Sequence, residues 1–168
     1  WALAARALTP VTDTFEARRA VLVLALIPLL PFLGFLVNAS SGRRLSKSIS
    51  GGLASAVMLA AFAIAVTQVM ALAALPEGSR EISQTVFTWI KSGDFLLDLT
   101  FRLDPLSAVM ILVITGIGSL IHIYSTAYMH EETDADFARF FSYLNLFVSF
   151  MLVLVLGSNF LVMFVGWE

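Results

Sequence analysis

The sequence predicts an all-α polytopic membrane protein: four transmembrane helices, the start of a fifth, and a small extramembrane β-hairpin between the second and third. Three observations carry that prediction. Of 168 residues, 59% are hydrophobic and only 13% charged, where soluble domains charge roughly a quarter of their positions. The charges are also segregated. All but Glu168 fall within residues 1–19, 43–47, 77–104 and 131–139, which leaves 20–42, 48–76, 105–130 and 140–167 without Asp, Glu, Lys or Arg. Each of those runs is long enough for a hydrocarbon core, which needs about 20 apolar residues at a helical rise of about 1.5 Å. Finally, the period of the hydrophobic pattern changes to two before residue 105, in the one place where a strand pattern intervenes.

Residues 1–19 read as a lead-in, amphipathic or disordered, broken at Thr9-Pro10. The first span covers about 20–38. Pro28 and Pro31 lie inside it, which a membrane helix tolerates when neighbours re-satisfy the freed carbonyls. The first run reads as a span rather than a secretory leader, because three more spans follow it and no A-x-A-like cleavage site does. The second span, about 49–75, is rich in alanine and stops at Pro76-Glu77-Gly78.

Residues 82–104 read as a hairpin. Leu97, Leu99, Phe101 and Leu103 alternate with Asp98, Thr100, Arg102 and Asp104, the two-residue period of a strand. Val86-Phe87-Thr88-Trp89-Ile90 forms the other arm and Lys91-Ser92-Gly93-Asp94 the turn. Open strand edges have no place in lipid, so this hairpin must pack on a protein surface outside the hydrocarbon.

The third span, about 105–128, opens with Asp104 as N-cap and Pro105 in the first turn. Thr115, Ser119, His122 and Thr126 share one of its faces. The fourth span, about 140–156, carries Ser142, Asn145 and Ser149 on one stripe, best suited to bonding another helix. Gly157-Ser158-Asn159 makes a tight turn, and Phe160 begins a fifth helix over 160–168. The chain starts with Trp and stops in an apolar run, so it reads as a piece of a longer protein. Arg43, Arg44 and Lys47 assign their loop to the cytoplasm and hence the hairpin to the outside, with Arg18 and Arg19 as the opposing signal.

Several chemistries are excluded. A net charge of −2 offers no basic face for nucleic acid. Without a cysteine there is no disulfide, thiolate zinc site or iron–sulfur ligation. His122 and His130 alone are too few for a histidine metal site, and no GxGxxG or GxxxxGK[ST] is present.

One ordered block of motifs goes further. Leu103-Asp104-Pro105-Leu106-Ser107, Gly116 to Tyr124 (GIGSLIHIY) and Tyr128-Met129 are followed by Arg139 to Phe147 (RFFSYLNLF), Gly157 to Leu161 (GSNFL) and Gly166-Trp167-Glu168. With Thr88-Trp89-Ile90 and Gly93-Asp94-Phe95 in the hairpin, this set resembles the N-terminal part of the subunit L family of bacterial NADH-quinone oxidoreductase, equivalent to mitochondrial chain 5. The resemblance covers roughly residues 20–168 and leaves 1–19 outside it. It implies an antiporter-like subunit in the membrane arm of respiratory complex I, multi-pass in the bacterial inner membrane. Proton translocation would there be coupled to electron transfer from NADH to quinone. It also implies that the partners are lipid and the other membrane-arm subunits. Flavin, iron–sulfur clusters and the quinone site would belong to those other subunits, so this chain carries no cofactor and no redox chemistry itself.

Glu168 is the first candidate for chemistry. A charged group inside a span costs on the order of a few kcal/mol and is usually functional or paired. A low dielectric favours the neutral carboxyl and a nearby lysine the charged one, so a moving partner could switch it. The resemblance implies that the matching glutamate works with buried lysines on later helices, giving Glu168 a role in proton transfer or its gating. His122, whose charge switches near neutral pH, is a possible relay, although an interhelical hydrogen bond explains it as well. His130 reads as solvated beside Glu131-Glu132, and Asp104 as a cap. Two other readings compete. The large subunit of a multisubunit Na⁺/H⁺ antiporter shares the Asp-x-Leu-Ser start and Trp-Glu end, but usually has a bulky residue in place of Gly166. A scaffold without transport would not need the polar faces or Glu168.

Overall fold

A computed structural model describes residues 12–41, 44–92 and 95–168. The elements are α1 (Thr12–Ser41), α2 (Lys47–Ala73), β1 (Ile82–Ser92), β2 (Phe95–Leu103), α3 (Pro105–Tyr128), α4 (Asp134–Leu156) and α5 (Phe160–Trp167). Four segments are long and apolar enough to cross a membrane: Val23–Ser41, Lys47–Ala73, Pro105–Tyr128 and Asp134–Leu156. The expected class therefore stands, hairpin included. The lead-in over residues 1–11 and the turn residues Gly93-Asp94 lie outside the described residues.

Two helices start well before the expected spans, α4 at Asp134 rather than about 140 and α1 by more. Helix α1 begins at Thr12, eight positions before the charge-free run does. Charges end a membrane crossing because hydrocarbon rejects them, but they do not end a helix in water, where Arg and Glu are good helix formers.

The helix starts follow local capping chemistry. The Ser46 side chain accepts from the Ile49 N–H, Thr133 from Asp136 and Asn159 from Val162. At α3, Asp104 Oδ1 accepts from the Ser107 N–H at 2.8 Å while Ser107 Oγ accepts from the Asp104 N–H at 2.7 Å, a reciprocal capping box. This arrangement holds the Asp104 carboxyl below the usual carboxylate range, chiefly through the bond from the Ser107 backbone.

In the bundle α1 packs between α2 and α4, α3 lies against α2 and α4, and α5 folds back on α4. A core of Leu24, Ile27, Met58, Ile111, Leu152 and Leu156 joins the helices, and a smaller cluster sets Phe137 and Phe141 around Ala54.

The hairpin is antiparallel, runs from Ile82↔Leu103 to Ser92↔Phe95, and shifts register between Thr85 and Phe87 and again between Thr88 and Ile90. Its base is part of the core: Phe101 and Leu103 are buried with the helix side chains. Its outer edge meets the α4–α5 turn. Phe101 bridges to Gly157, the Ser158 N–H donates to Thr100 O at 3.0 Å, and Asn159 Nδ2 donates to Asp98 O at 2.8 Å. That turn covers part of an edge that would otherwise present unpaired groups.

Candidate functional site

The polar side chains inside the bundle form one tie at most of its interfaces. Between α1 and α2, Ser50 Oγ donates to Asn38 Oδ1 at 2.9 Å. Between α4 and α1, Ser149 Oγ donates to the Pro28 carbonyl at 2.8 Å, beside the prolines that interrupt the α1 ladder. Between α1 and β1, Gln84 Oε1 accepts from the Leu24 N–H at 3.0 Å. Each tie gives a buried polar atom a partner across an interface, while Gln84 Nε2 is left without one among the described residues.

Between α3 and α4 the tie is His122 with Asn145, both fully buried. His122 Nδ1 donates to the Gly118 carbonyl at 2.7 Å, and Nε2 lies 2.9 Å from Asn145 Oδ1. Phe141 closes one side of the imidazole, with ring centroids 6.2 Å apart. Asn145 Nδ2 is buried without a hydrogen-bond partner among the described residues and points at α1. There a Cβ on Gly34 would lie 2.7 Å from it, so only bare backbone admits the amide at that point.

The two predicted faces thus meet, though not along their whole length. Thr115 and Ser119 are buried with His122, but their hydroxyls donate one turn back, to the Ile111 and Thr115 carbonyls, as does Ser142 to Ala138. Thr126 lies at the margin of the face, and Ser125 is the buried residue instead. Sequence reasoning misses Gln84 and Asn38: Asn38 shows only as an amide at the end of an apolar run, and Gln84, between Ser83 and Thr85, carries no signal.

Glu168 stands apart from this pair. It follows α5, where its N–H donates to Phe164 O at 3.0 Å. Its side chain edges an apolar groove of about 480 Å³ between α4 and α5, walled by Phe147, Phe150, Met151 and Leu154. It is exposed, because among the described helices α4 supplies one wall only. No ion pair to it forms among the described residues. Phe147 and Met151 also wall a second groove that His122 lines, so the two candidates flank the same α4 ridge without meeting. Nor do His, Asp or Glu side chains converge in threes as metal ligands among the described residues.

The position of α5 depends on Gly166. A Cβ there would lie 2.5 Å from Leu154 N and 2.7 Å from its Cα, so the α5 backbone rests directly on α4. Asp104 acts as a cap, Arg139 pairs with Asp136 at 3.5 Å on an exposed surface, and the exposed His130 gives only its carbonyl, to Lys47 Nζ at 3.1 Å.

Residues 89–141 match the family model described as NADH-Ubiquinone oxidoreductase (complex I), chain 5 N-terminus. The chain is 42% identical over 148 residues to NADH-quinone oxidoreductase subunit L of Escherichia coli, a match covering 87% of this chain and 23% of that protein. The chain belongs to this family. Subunit L of Mycobacterium tuberculosis is 41% identical over 143 residues, 85% of this chain and 22% of that protein. The NAD(P)H-quinone oxidoreductase subunit 5 of the Paulinella chromatophora chromatophore is 33% identical over 153 residues, 90% of this chain and 23% of that protein. The chain therefore spans less than a quarter of the length of these relatives. Four spanning helices and bacterial subunit L relatives make it a multi-pass protein of a bacterial inner membrane.

Proposed function

We propose that this chain is the N-terminal portion, over residues 20–168, of a proton-translocating membrane-arm subunit of NADH-quinone oxidoreductase. In this role it serves as part of an enzyme complex and a translocase, its neighbours being the other membrane-arm subunits and lipid. Flavin, iron–sulfur clusters and the quinone site belong elsewhere in the complex, which fits a chain without cysteine. The observation that carries this reading is 42% identity to a subunit L across 87% of the chain. The seating of Gly166 on Leu154 supports it over the Na⁺/H⁺ antiporter reading, because a bulky residue there would push α5 off α4.

Within that function, Glu168 is the group that exchanges or gates the proton, and His122 is a second proton-handling position. Glu168 sits at the end of a helix whose other flank is free to meet further helices, the setting in which a carboxyl acquires a basic partner. The test is Glu168→Gln in the intact complex, reconstituted in sealed vesicles, with NADH oxidation and proton uptake followed together. Proton uptake should fall severalfold relative to wild type. Undiminished uptake per NADH oxidised overturns the assignment. Restoring NADH-driven respiration to a strain lacking its own subunit L separates the respiratory reading from the Na⁺/H⁺ antiporter one.

A further inference from the structure

The hydrogen-bond inventory around His122 closes in two ways, one for each orientation of the Asn145 amide. Gly118 O can only accept, so Nδ1 carries a hydrogen. Asn145 Oδ1 can also only accept, so with that oxygen facing Nε2 at 2.9 Å the ring is satisfied only as an imidazolium, with a hydrogen on both nitrogens. A neutral imidazole with its hydrogen on Nδ1 offers a lone pair at Nε2, which needs an N–H from Asn145. Reversing the amide supplies that N–H with no change in the heavy-atom frame, because the two ends of an amide are nearly the same size. The reversal also takes up the orphaned Nδ2, since the oxygen then faces the Gly34 backbone, where Cα–H is a weak donor.

No counter-charge decides between the two states. The segments packed around the pair, residues 24–38, 48–73 and 140–156, contain no Asp, Glu, Lys or Arg. The one ionisable side chain they hold is the Tyr143 phenol, which is 63% exposed. The Phe141 ring, 6.2 Å from the imidazole, sits at the edge of cation–π range. The amide is therefore the main group able to answer a change of charge on the ring.

We propose that Asn145 is the positioning residue of a two-state proton switch, in which its amide turns over each time His122 gains or loses a proton. On uptake, the amide first turns its N–H away from Nε2, the freed lone pair bonds a proton given up by a water that enters from the groove His122 lines, and Oδ1 then accepts from the new Nε2–H. On release, Nε2–H breaks, the proton returns to water, and Nδ2–H rotates back to donate to Nε2. Gly34 is what lets the amide turn, since a methyl group there would collide with its outer end. The proposal deepens the reading of His122 given above and rests on it.

Infrared difference spectroscopy of the intact complex tests this. Spectra are recorded across the range in which an imidazole titrates, about pH 5–8, and the spectra of the His122→Gln complex are subtracted to isolate the ring. Wild type should show Nδ1-protonated imidazole bands giving way to imidazolium bands, with a side-chain amide carbonyl shift of the same midpoint. Asn145→Asp, which cannot donate, should hold the imidazolium bands across the same range. Gly34→Ala should remove the amide shift or displace its midpoint. A ring that titrates with no coupled amide shift overturns the switch while leaving His122 as a proton site. A ring that never titrates overturns both. Unchanged pumping in His122→Gln, beside a titrating ring with its amide shift, overturns the relay role alone.

Discussion

Gly166 of α5 and Leu154 of α4 approach so closely that a methyl group at position 166 would lie 2.5 Å from the Leu154 amide nitrogen. The obstacle is backbone, which cannot rotate aside as a side chain can. Gly166→Ala should therefore lift α5 from α4, at a cost of about 1–3 kcal/mol as for other overpacked interfaces, and should move Glu168 with it. Thermal inactivation of the assembled complex and proton uptake per NADH would read the two effects. Wild-type values for both would show that α5 is not seated as described.

The α3 cap predicts a pH response. Asp104 has a folded value below the ordinary carboxylate range, so its stabilisation is fully present above the unfolded value of about 3.9 and is lost as pH falls through the folded one. Asp104→Ala should cost about 1 kcal/mol near neutral pH, while Asp104→Asn should keep most of the cap. Denaturation of wild type and Asp104→Asn from pH 7 down to about 3 checks the sign: their stabilities should converge toward the acid end.

Two serines on one α4 stripe should behave differently. Ser149 donates across to α1, whereas Ser142 donates to its own helix. Ser149→Ala should cost about 0.6 kcal/mol, typical of interhelical hydrogen bonds in membranes, and Ser142→Ala less. Equal losses in a detergent-unfolding series would argue against the α1–α4 tie.

Gln84 predicts an effect outside the helices. Gln84→Met keeps the bulk but removes the side-chain bond that the Leu24 N–H of α1 makes to β1, at about 0.5–1.5 kcal/mol, the net worth of a typical hydrogen bond. Hydrogen exchange at Leu24 should accelerate in step with that loss. Protection equal to wild type would mean the amide has another partner.

Much of this fold could be read along the chain because the signals are local. Charge-free runs gave the spans, Asp104-Pro105 the start of α3, and the alternation from Leu97 to Leu103 the second strand. The start of α1 was not legible from the span, because residues 13–19 are hostile to lipid yet compatible with helix. The polar faces of α3 and α4 were legible as spacing, but their meeting at His122 and Asn145 depends on how two helices rotate against each other. The placement of Glu168 follows the same logic. Its chemistry is written in one letter, while its exposure depends on which helices lie beside α5.

The bonds from Thr100 O to Ser158 and from Asp98 O to Asn159 have a mechanical consequence. They rivet a strand that leads straight into α3 onto the corner where α4 turns into α5. If that corner is drawn away from the hairpin, either both rivets shear or β2 is dragged along and pulls on the first turn of α3. The hairpin is thus a strut outside the lipid, through which force on the helix ending beside Glu168 is felt by the helix that carries His122.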